Sequence, residues 1–404
     1  MKIAFIVQRY GIDVNGGAEF HCRRLAENLI TDSDVSEITV LTSCARDHFN
    51  WNNYFERGKS ELNNIKVIRF PVLFPRLTLI QKITGVLIRW FKIKFIEKLW
   101  FITQGPFVPD LLKYIKTHKD EYDIFIFFTY LYYPTVFGLP LVKDKAILIP
   151  TAHDEPPIYF NHYKKFFKTP KAIAYNTFEE AQLVQSLFNN QNVISDVIGC
   201  GIDFPIDTPT KDEHKPVDNY ILYLGRIEKN KNVPELLNGF INFKTQYHDT
   251  TFINNQGQQF KGQDLKLFLA GRNNIPIPNH SDIISLGFVS EKQKDELTRN
   301  ALLLVMPSKR ESLSLVILEA WARDTPVMVN EYCEVTLGQN NRANGGISYT
   351  SDLDFPEKLV EILVDHNKRK KIANNGKLYV LENYSWTNIN SKIIKLIRNN
   401  MSTK

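Results

Sequence analysis

The stretch "ALLLVMPSKRESLSLVILEAWAR", residues 301–323, decides the fold. It opens with an unbroken apolar run closed by Pro307, the pattern of a short strand buried on both faces. "LSLVILEAWAR" (313–323) reads as a helix, and Lys309, Arg310, Glu311 and Ser312 join the two. A buried strand passing straight into a helix is the repeat of a doubly wound α/β sheet. The helix start has unpaired N–H groups and the positive end of a dipole, so it favours an anion such as phosphate. Ser312 or Ser314 can act as N-cap, and the N–H groups around Ser314, Leu315 and Val316 then face that anion. Glu319 follows a little over one turn later, among Ile317, Leu318, Ala320 and Trp321, where a carboxylate is costly without partners. Either it holds a hydroxylated part of a ligand, or it pairs with a buried lysine or caps a neighbouring helix.

The same alternation of strand and helix runs along the whole chain. Ile3 to Val7, "ITVLTSC" (38–44), "IKVIRF" (65–70), "YDIFIFFTY" (122–130), "AILIPTAH" (146–153) and "KAIAYNT" (171–177) read as strands. Residues 205–218 hold three prolines and many charges and mark a linker. Strands resume with "YILYLGRI" (220–227), "LKLFLAG" (265–271), "DIISLGFV" (282–289) and "TPVMVN" (325–330). Residues 249–263 read as a polar loop insertion, and 355–384 as one long helical pattern. The expected domains are 1–204, a linker at 205–218, 219–384, and a C-terminal helix at 385–404 placed to pack back on the first domain. Ligand is expected at the carboxyl ends of the strands.

A chain of 404 residues is long enough for two domains, and 43% hydrophobic with 23% charged residues is the composition of a soluble globular protein. The net charge of +6, from 50 basic and 44 acidic residues, does not suggest a nucleic-acid partner. Cys22, Cys44, Cys200 and Cys333 lack CxxC spacing and fit reduced thiols in a cytosol. The five-residue apolar run at the N-terminus reads as a core strand rather than a signal peptide. No stretch has the apolar length of a membrane span.

Residues 76–98 stand apart, with Arg76, Lys82, Arg89, Lys92, Lys94 and Lys98 against one acid, Glu97. On a helical wheel Ile80, Ile83, Leu87 and Phe91 share a face, with Lys82, Arg89 and Lys92 roughly opposite. Two readings stand: a helix lying on an anionic bilayer, or a core-facing helix with a solvated basic side.

In "YLGRIEKNKN" (223–232), Arg226 and Lys231 lie five apart in a loop after a buried strand, where they can neutralise a diphosphate. This element and "MPSKRESLSLVILEAWARDTPVMV" (306–329) resemble the family-4 glycosyltransferases, retaining enzymes of the GT-B fold. The Glu-x7-Glu element matches as Glu311 to Glu319. "NGGAE" (15–19), "TAHDE" (151–155) and "GCGID" (199–203) look like the family's glycine loop, histidine segment and pre-hinge turn. The resemblance implies two doubly wound Rossmann-like domains facing a central cleft, the first binding acceptor and the second the nucleotide-sugar. It places Glu319 on the donor ribose and Glu311 on the transferred sugar. Arg226 and Lys231 hold the diphosphate, with Gly16 and Gly17 in the glycine loop beside it. His153 stands by the reaction centre, and Phe288 and Val289 near the nucleobase. Two departures stand out: the family usually has glycine where this chain has Ser314 and Asp324.

"NGGAE" is not the GxGxxG dinucleotide fingerprint. "DSD" (32–34) and "DLD" (352–354) fall at polar turns, where aspartates cap rather than bind metal. The expected activity is metal-independent retaining transfer of a sugar from a UDP-sugar to a hydroxyl of a glycan. No cofactor is implied. A lipid-linked acceptor in surface polysaccharide assembly follows if 76–98 meets a membrane, with the protein peripheral at the inner face. The alternatives are a nucleotide-sugar 2-epimerase of the same architecture and a non-catalytic partner subunit.

Overall fold

The computed structural model describes residues 1–14, 16–91, 93–205 and 219–401. Of the expected linker, residues 206–218 therefore lie outside the described residues, as do Lys92 and the side chain of Phe91. The chain divides into two units, Met1–Gly201 with Trp386–Lys404, and Ile202–Ser385.

Unit 1 is built on eight strands: β1 (Lys2–Ile6), β2 (Glu37–Ser43), β3 (Gly58–Leu62), β4 (Ile65–Phe70), β5 (Ile124–Phe128), β6 (Ala146–Ile149), β7 (Ala172–Tyr175) and β8 (Ile194–Val197). Their order is β3-β4-β2-β1-β5-β6-β7-β8, parallel except for β3. The solidly apolar segments β5, β6 and β7 are buried along their full length, because helices cover both faces of a parallel sheet. The order reverses beside β1, which pairs with β2 on one side and β5 on the other. The glycines at 16 and 17 follow this strand, at the crevice where doubly wound sheets take their ligands.

Unit 2 contains β9 (Tyr220–Leu224), β10 (Thr251–Ile253), β11 (Gln259–Lys261), β12 (Lys266–Ala270), β13 (Ile283–Gly287), β14 (Leu303–Met306), β15 (Val327–Asn330) and β16 (Gly346–Tyr349). Its main sheet runs β13-β12-β9-β14-β15-β16, with every pair parallel. Here the switch point lies between β9 and β14, and the loops after those two strands carry Arg226, Lys231 and Glu311. Two doubly wound units are the fold class expected from the sequence.

Two local expectations are corrected, and of the two alternatives left open for a third segment one is excluded. Residues 249–263 are not an open loop: β10 and β11 form a hairpin that buries Phe252 and Phe260 among otherwise polar residues. The pattern at 355–384 is two helices, Phe355–Leu363 and His366–Tyr384, the second capped by Asp365 accepting from the Lys368 N–H at 2.9 Å. The helix Thr78–Phe91 does not pack on the core through the face of Ile80 and Ile83, as the second of its two readings would have it. It buries Thr84 and Ile88 and turns Ile80 and Ile83 outward with Lys82 and Arg89. That inner face packs on the next helix, Lys94–Gln104, where a Cβ on Gly85 would lie 3.4 Å from Trp100 Nε1, in ordinary contact.

The C-terminal helix, Trp386–Met401, belongs to unit 1. Ile389, Ile393 and Ile397 recur at helical spacing and are buried there. Asn390 Nδ2 donates to Asn28 O at 3.2 Å, and Arg398 Nε to Asp34 Oδ2 at 2.9 Å.

Candidate active site

The loop after β9 starts at Gly225, whose φ of 146° favours glycine. It is pinned to the loop after β12: Gly225 N–H donates to Ala270 O at 3.0 Å and Ile227 N–H to Arg272 O at 2.9 Å. A Cβ on Gly271 would lie 1.9 Å from Gly225 O, so that approach requires glycine. On this fixed loop Arg226 is half exposed and pairs with Glu228 at 3.2 Å. Lys231 Nζ reaches Glu311 Oε1 at 2.7 Å, and both side chains are largely sheltered. Asn232 Nδ2 donates to Pro307 O at 3.1 Å, which ties the loop after β9 to the loop after β14. The structure thus brings Lys231 and Glu311 together from positions 80 residues apart, while Arg226 turns to its neighbour.

Ser314 stands at the N-cap of the helix Leu315–Trp321 with φ 58° and ψ 73°, and its Oγ is buried without a hydrogen-bond partner among the described residues. Leu315, Val316 and Glu319 are the half-buried positions of this short helix. Glu319 Oε1 accepts from Lys294 Nζ at 3.0 Å. The lysine alternative raised by the sequence is therefore realised, and it meets the cost of sheltering the carboxylate. Burial pulls the Lys294 ammonium down, but Glu319 and Glu291 outweigh it and hold its pKa above the usual lysine range. Lys294 lies on the helix Glu291–Asn300, opened by a capping box between Ser290 and Gln293. Just before that helix, Phe288 is exposed and Val289 half-buried. Lys294 is the partner of Glu319 that sequence reasoning missed, since nothing local in "EKQKDEL" marks one lysine of two.

In unit 1, a Cβ on Gly16 would meet Glu19 Oε2 at 2.2 Å, whereas one on Gly17 would enter open space. Glu19 is buried and accepts from Gln8 Nε2 and Arg9 Nε, each at 2.8 Å. The fold therefore demands glycine at 16 and leaves room at 17. His153 lies beyond the end of β6, with Nε2 3.6 Å from Glu155 Oε2 and Nδ1 buried without a partner among the described residues. Tyr130 donates to the other oxygen of Glu155 at 2.6 Å. Glu180, also missed from sequence, fastens this corner. Its Oε1 accepts from Ala152 N–H, next to His153, and its Oε2 from Asn176 N–H at 2.5 Å. Burial pushes its pKa up to about 8 despite those bonds.

Among the described residues no three His, Cys, Asp or Glu gather as metal ligands. In "DLD", Asp354 accepts from the Thr350 and Ser351 N–H groups; in "DSD", Asp32 accepts from Asp34 N–H. Residues 207–379 match the family model of glycosyl transferases group 1. An uncharacterized glycosyltransferase of Methanocaldococcus jannaschii is 23% identical over 98% of both chains. The chain is a GT-B glycosyltransferase related to group 1. Two solved structures share the transferase's fold. Anabaena HepE, in complex with UDP-glucose, superposes with a TM-score of 0.65 at 14% identity, over 99% of this chain and 100% of that one. WaaG, a glycosyltransferase involved in lipopolysaccharide biosynthesis, gives 0.64 at 15%, over 98% and 99%. The matched span of the transferase contains Arg226, Lys231, Glu311, Ser314 and Glu319, and leaves Gly16, Gly17 and His153 outside.

Proposed function

We propose that the transferase moves a sugar from a UDP-sugar, with retention of configuration, to a glycan hydroxyl in surface polysaccharide assembly. The observation that carries this reading is the Lys231–Glu311 pair, 2.7 Å apart across the switch point of unit 2. An ammonium and a carboxylate on adjacent loops can divide a donor between them, diphosphate to Lys231 and Arg226, sugar hydroxyls to Glu311. Glu319 keeps one oxygen on Lys294, and its other oxygen is offered to the ribose. The N–H groups of Leu315 and Val316 lie at the diphosphate, with Phe288 and Val289 at the base. Gly17 and His153 contribute from the acceptor-binding unit 1. UDP-glucose in the complex of Anabaena HepE supports uridine as the base, and WaaG supports a lipopolysaccharide-type acceptor.

In the transfer, the bond from the anomeric carbon to the diphosphate oxygen breaks. A bond to the acceptor oxygen forms on the same face, and the acceptor proton passes to the departing phosphate oxygen. Fixed positive charge stabilises the leaving group. Incubation with a panel of UDP-sugars and glycan acceptors should give UDP release that depends on acceptor. Lys231→Ala should lower kcat by about 10²–10³-fold, and Glu319→Ala should weaken UDP binding. Epimerised donor without acceptor, or unchanged UDP affinity in a folded Glu319→Ala chain, would overturn the assignment.

A further inference from the structure

We infer that the outward face of the helix Thr78–Phe91, with the start of the helix Lys94–Gln104, docks on an anionic lipid bilayer. Leu79, Ile83, Val86 and Trp90 are 71%, 51%, 56% and 78% exposed. Their spacing of four, three and four puts them in one stripe about 16 Å long. Ile93 and the exposed Phe95 extend it. A contiguous apolar surface of this kind is seldom left to water.

The charges around the stripe identify what covers it. Lys82 and Arg89 run along one side, and Lys94 and Lys98 follow in the next helix, all exposed. None of the four has an ion-pair partner among the described residues. The segment's one acid does not face out. Glu97 is buried, and its carboxylate accepts from the N–H groups of Asn161 and His162 at 2.8 and 3.0 Å. Arg76 is also turned inward, donating to His48 O at 3.1 Å. The exposed charges of 76–98, among the described residues, are thus all positive. Apolar side chains between ammonium and guanidinium groups, with a tryptophan at one end, fit the boundary between acyl chains and anionic headgroups. A second copy of the chain fits poorly, since a two-fold contact would set like charges against each other. No described helix is long and apolar enough to cross a membrane, so the contact is with the surface. Glu97 also binds this helix pair to Asn161 and His162, after His153 and Glu155, so a bilayer seated here would lie on the unit that carries His153.

The test is sedimentation of the full chain with vesicles of phosphatidylcholine alone or with one third phosphatidylglycerol. Two variants accompany it: Leu79→Ser/Ile83→Ser/Trp90→Ser, and Lys82→Gln/Arg89→Gln/Lys94→Gln/Lys98→Gln. All these side chains are exposed, so both variants should fold. Wild type should bind the anionic vesicles, not the neutral ones, and be released by salt. Each variant should lose about tenfold or more in partitioning. Absent or equal binding to both vesicles overturns the inference, as does full binding by either variant. So does a wild-type dimer that the serine variant dissolves, which gives the face to a second copy. Vesicle binding needs no donor, so its failure would leave the transfer reaction untouched.

Discussion

Ser314 and Asp324 are the two positions where this chain lacks the glycine usual in the family it resembles, and both have left-handed backbones, with φ 58° and 57°. A non-glycine residue costs about 1–2 kcal/mol there. Asp324 recovers part of this through an exposed pair with Lys377 at 2.6 Å, so Asp324→Gly should change stability little. Ser314 recovers nothing visible, since its hydroxyl is buried without a partner among the described residues. Strain kept beside the proposed donor loop points to use by a ligand. Ser314→Gly should therefore raise the stability of unit 2 by about 1 kcal/mol while weakening UDP-sugar binding by about tenfold. Thermal unfolding and donor titration on one preparation check both, and a gain in stability with unchanged affinity would remove Ser314 from the donor site. Glu180 gives a prediction in pH. Its folded pKa, about 8 against an ordinary 4.5, means that the folded chain holds the proton more tightly, so stability falls as pH rises through that window. His21 and His162, lowered to about 4 by burial, act the other way, losing stability as pH falls from 6.5. Between pH 6.5 and 8 Glu180 is the one of the three still titrating. Hydrogen-exchange stabilities of the amides in β6 and β7 should fall from pH 6.5 to 8.5. In Glu180→Gln that slope should vanish, from a baseline lower by about 1–3 kcal/mol because an amide can accept from only one of the two N–H groups. Equal slopes in both chains would refute the assignment.

Elements were legible in the sequence where their pattern was strong. The apolar runs of β1, β5, β6, β9 and β14 leave no alternative to buried parallel strands. The edge strands β3, "GKSEL", and β8, "ISDV", were not legible, because one side of each faces water and little apolar signal is required of it. The packed face of the helix Thr78–Phe91 was left open by the sequence, because a wheel shows which side chains cluster and not what covers them. In the structure Thr84 and Ile88 lie inside, and the helix pairs with Lys94–Gln104 through that face. In the site, Glu311, Glu319, Arg226 and Lys231 were readable as motif positions, but their pairings were not. Lys231–Glu311 spans 80 residues and Lys294–Glu319 spans 25, and only the sheet order brings those loops and helices together. The helix Leu315–Trp321 shows how an element far along the chain sets the site. Trp321 donates from Nε1 to Gly345 O at 2.8 Å, and a Cβ on Gly376 would lie 2.2 Å from its ring. Gly376→Ala should push Trp321 and its helix aside, destabilising unit 2 by about 1–3 kcal/mol and weakening UDP binding through Ser314 and Glu319. Gly85→Ala is the contrast: its Cβ makes ordinary contact, and alanine is the better helix former by about 1 kcal/mol. Thermal unfolding of both chains checks the pair, and equal tolerance would mean that Trp321 does not anchor the helix.

For the whole molecule, the chain enters unit 2 after Gly201 and leaves it before Trp386. The entry and exit lie side by side: Ile202 N–H donates to Tyr384 O at 2.8 Å within unit 2, and Gly201 in unit 1 packs so tightly on Trp386 that a Cβ would sit 2.3 Å from its ring. Unit 1 is therefore finished by the last segment of the chain. The isoleucine spacing of the helix Trp386–Met401 announces an apolar face, though not the surface that receives it. That surface is the helix Gly17–Leu29 with β7 and β8. Ile389, Ile393, Ile394, Leu396 and Ile397 are buried. Burial of each such side chain contributes about 1.5–3 kcal/mol, and together they rival the net stability of a whole domain, about 5–15 kcal/mol. A chain ending at Ser385 should lose unit 1 and keep unit 2. In hydrogen exchange, amides of β1, β5 and β7 should become unprotected while those of β9, β12 and β14 stay slow. Because unit 2 holds Arg226, Lys231, Glu311 and Glu319, the truncated chain should still bind UDP while transfer is abolished. Protection surviving in β7, which meets that helix directly, would show that unit 1 closes its core without it.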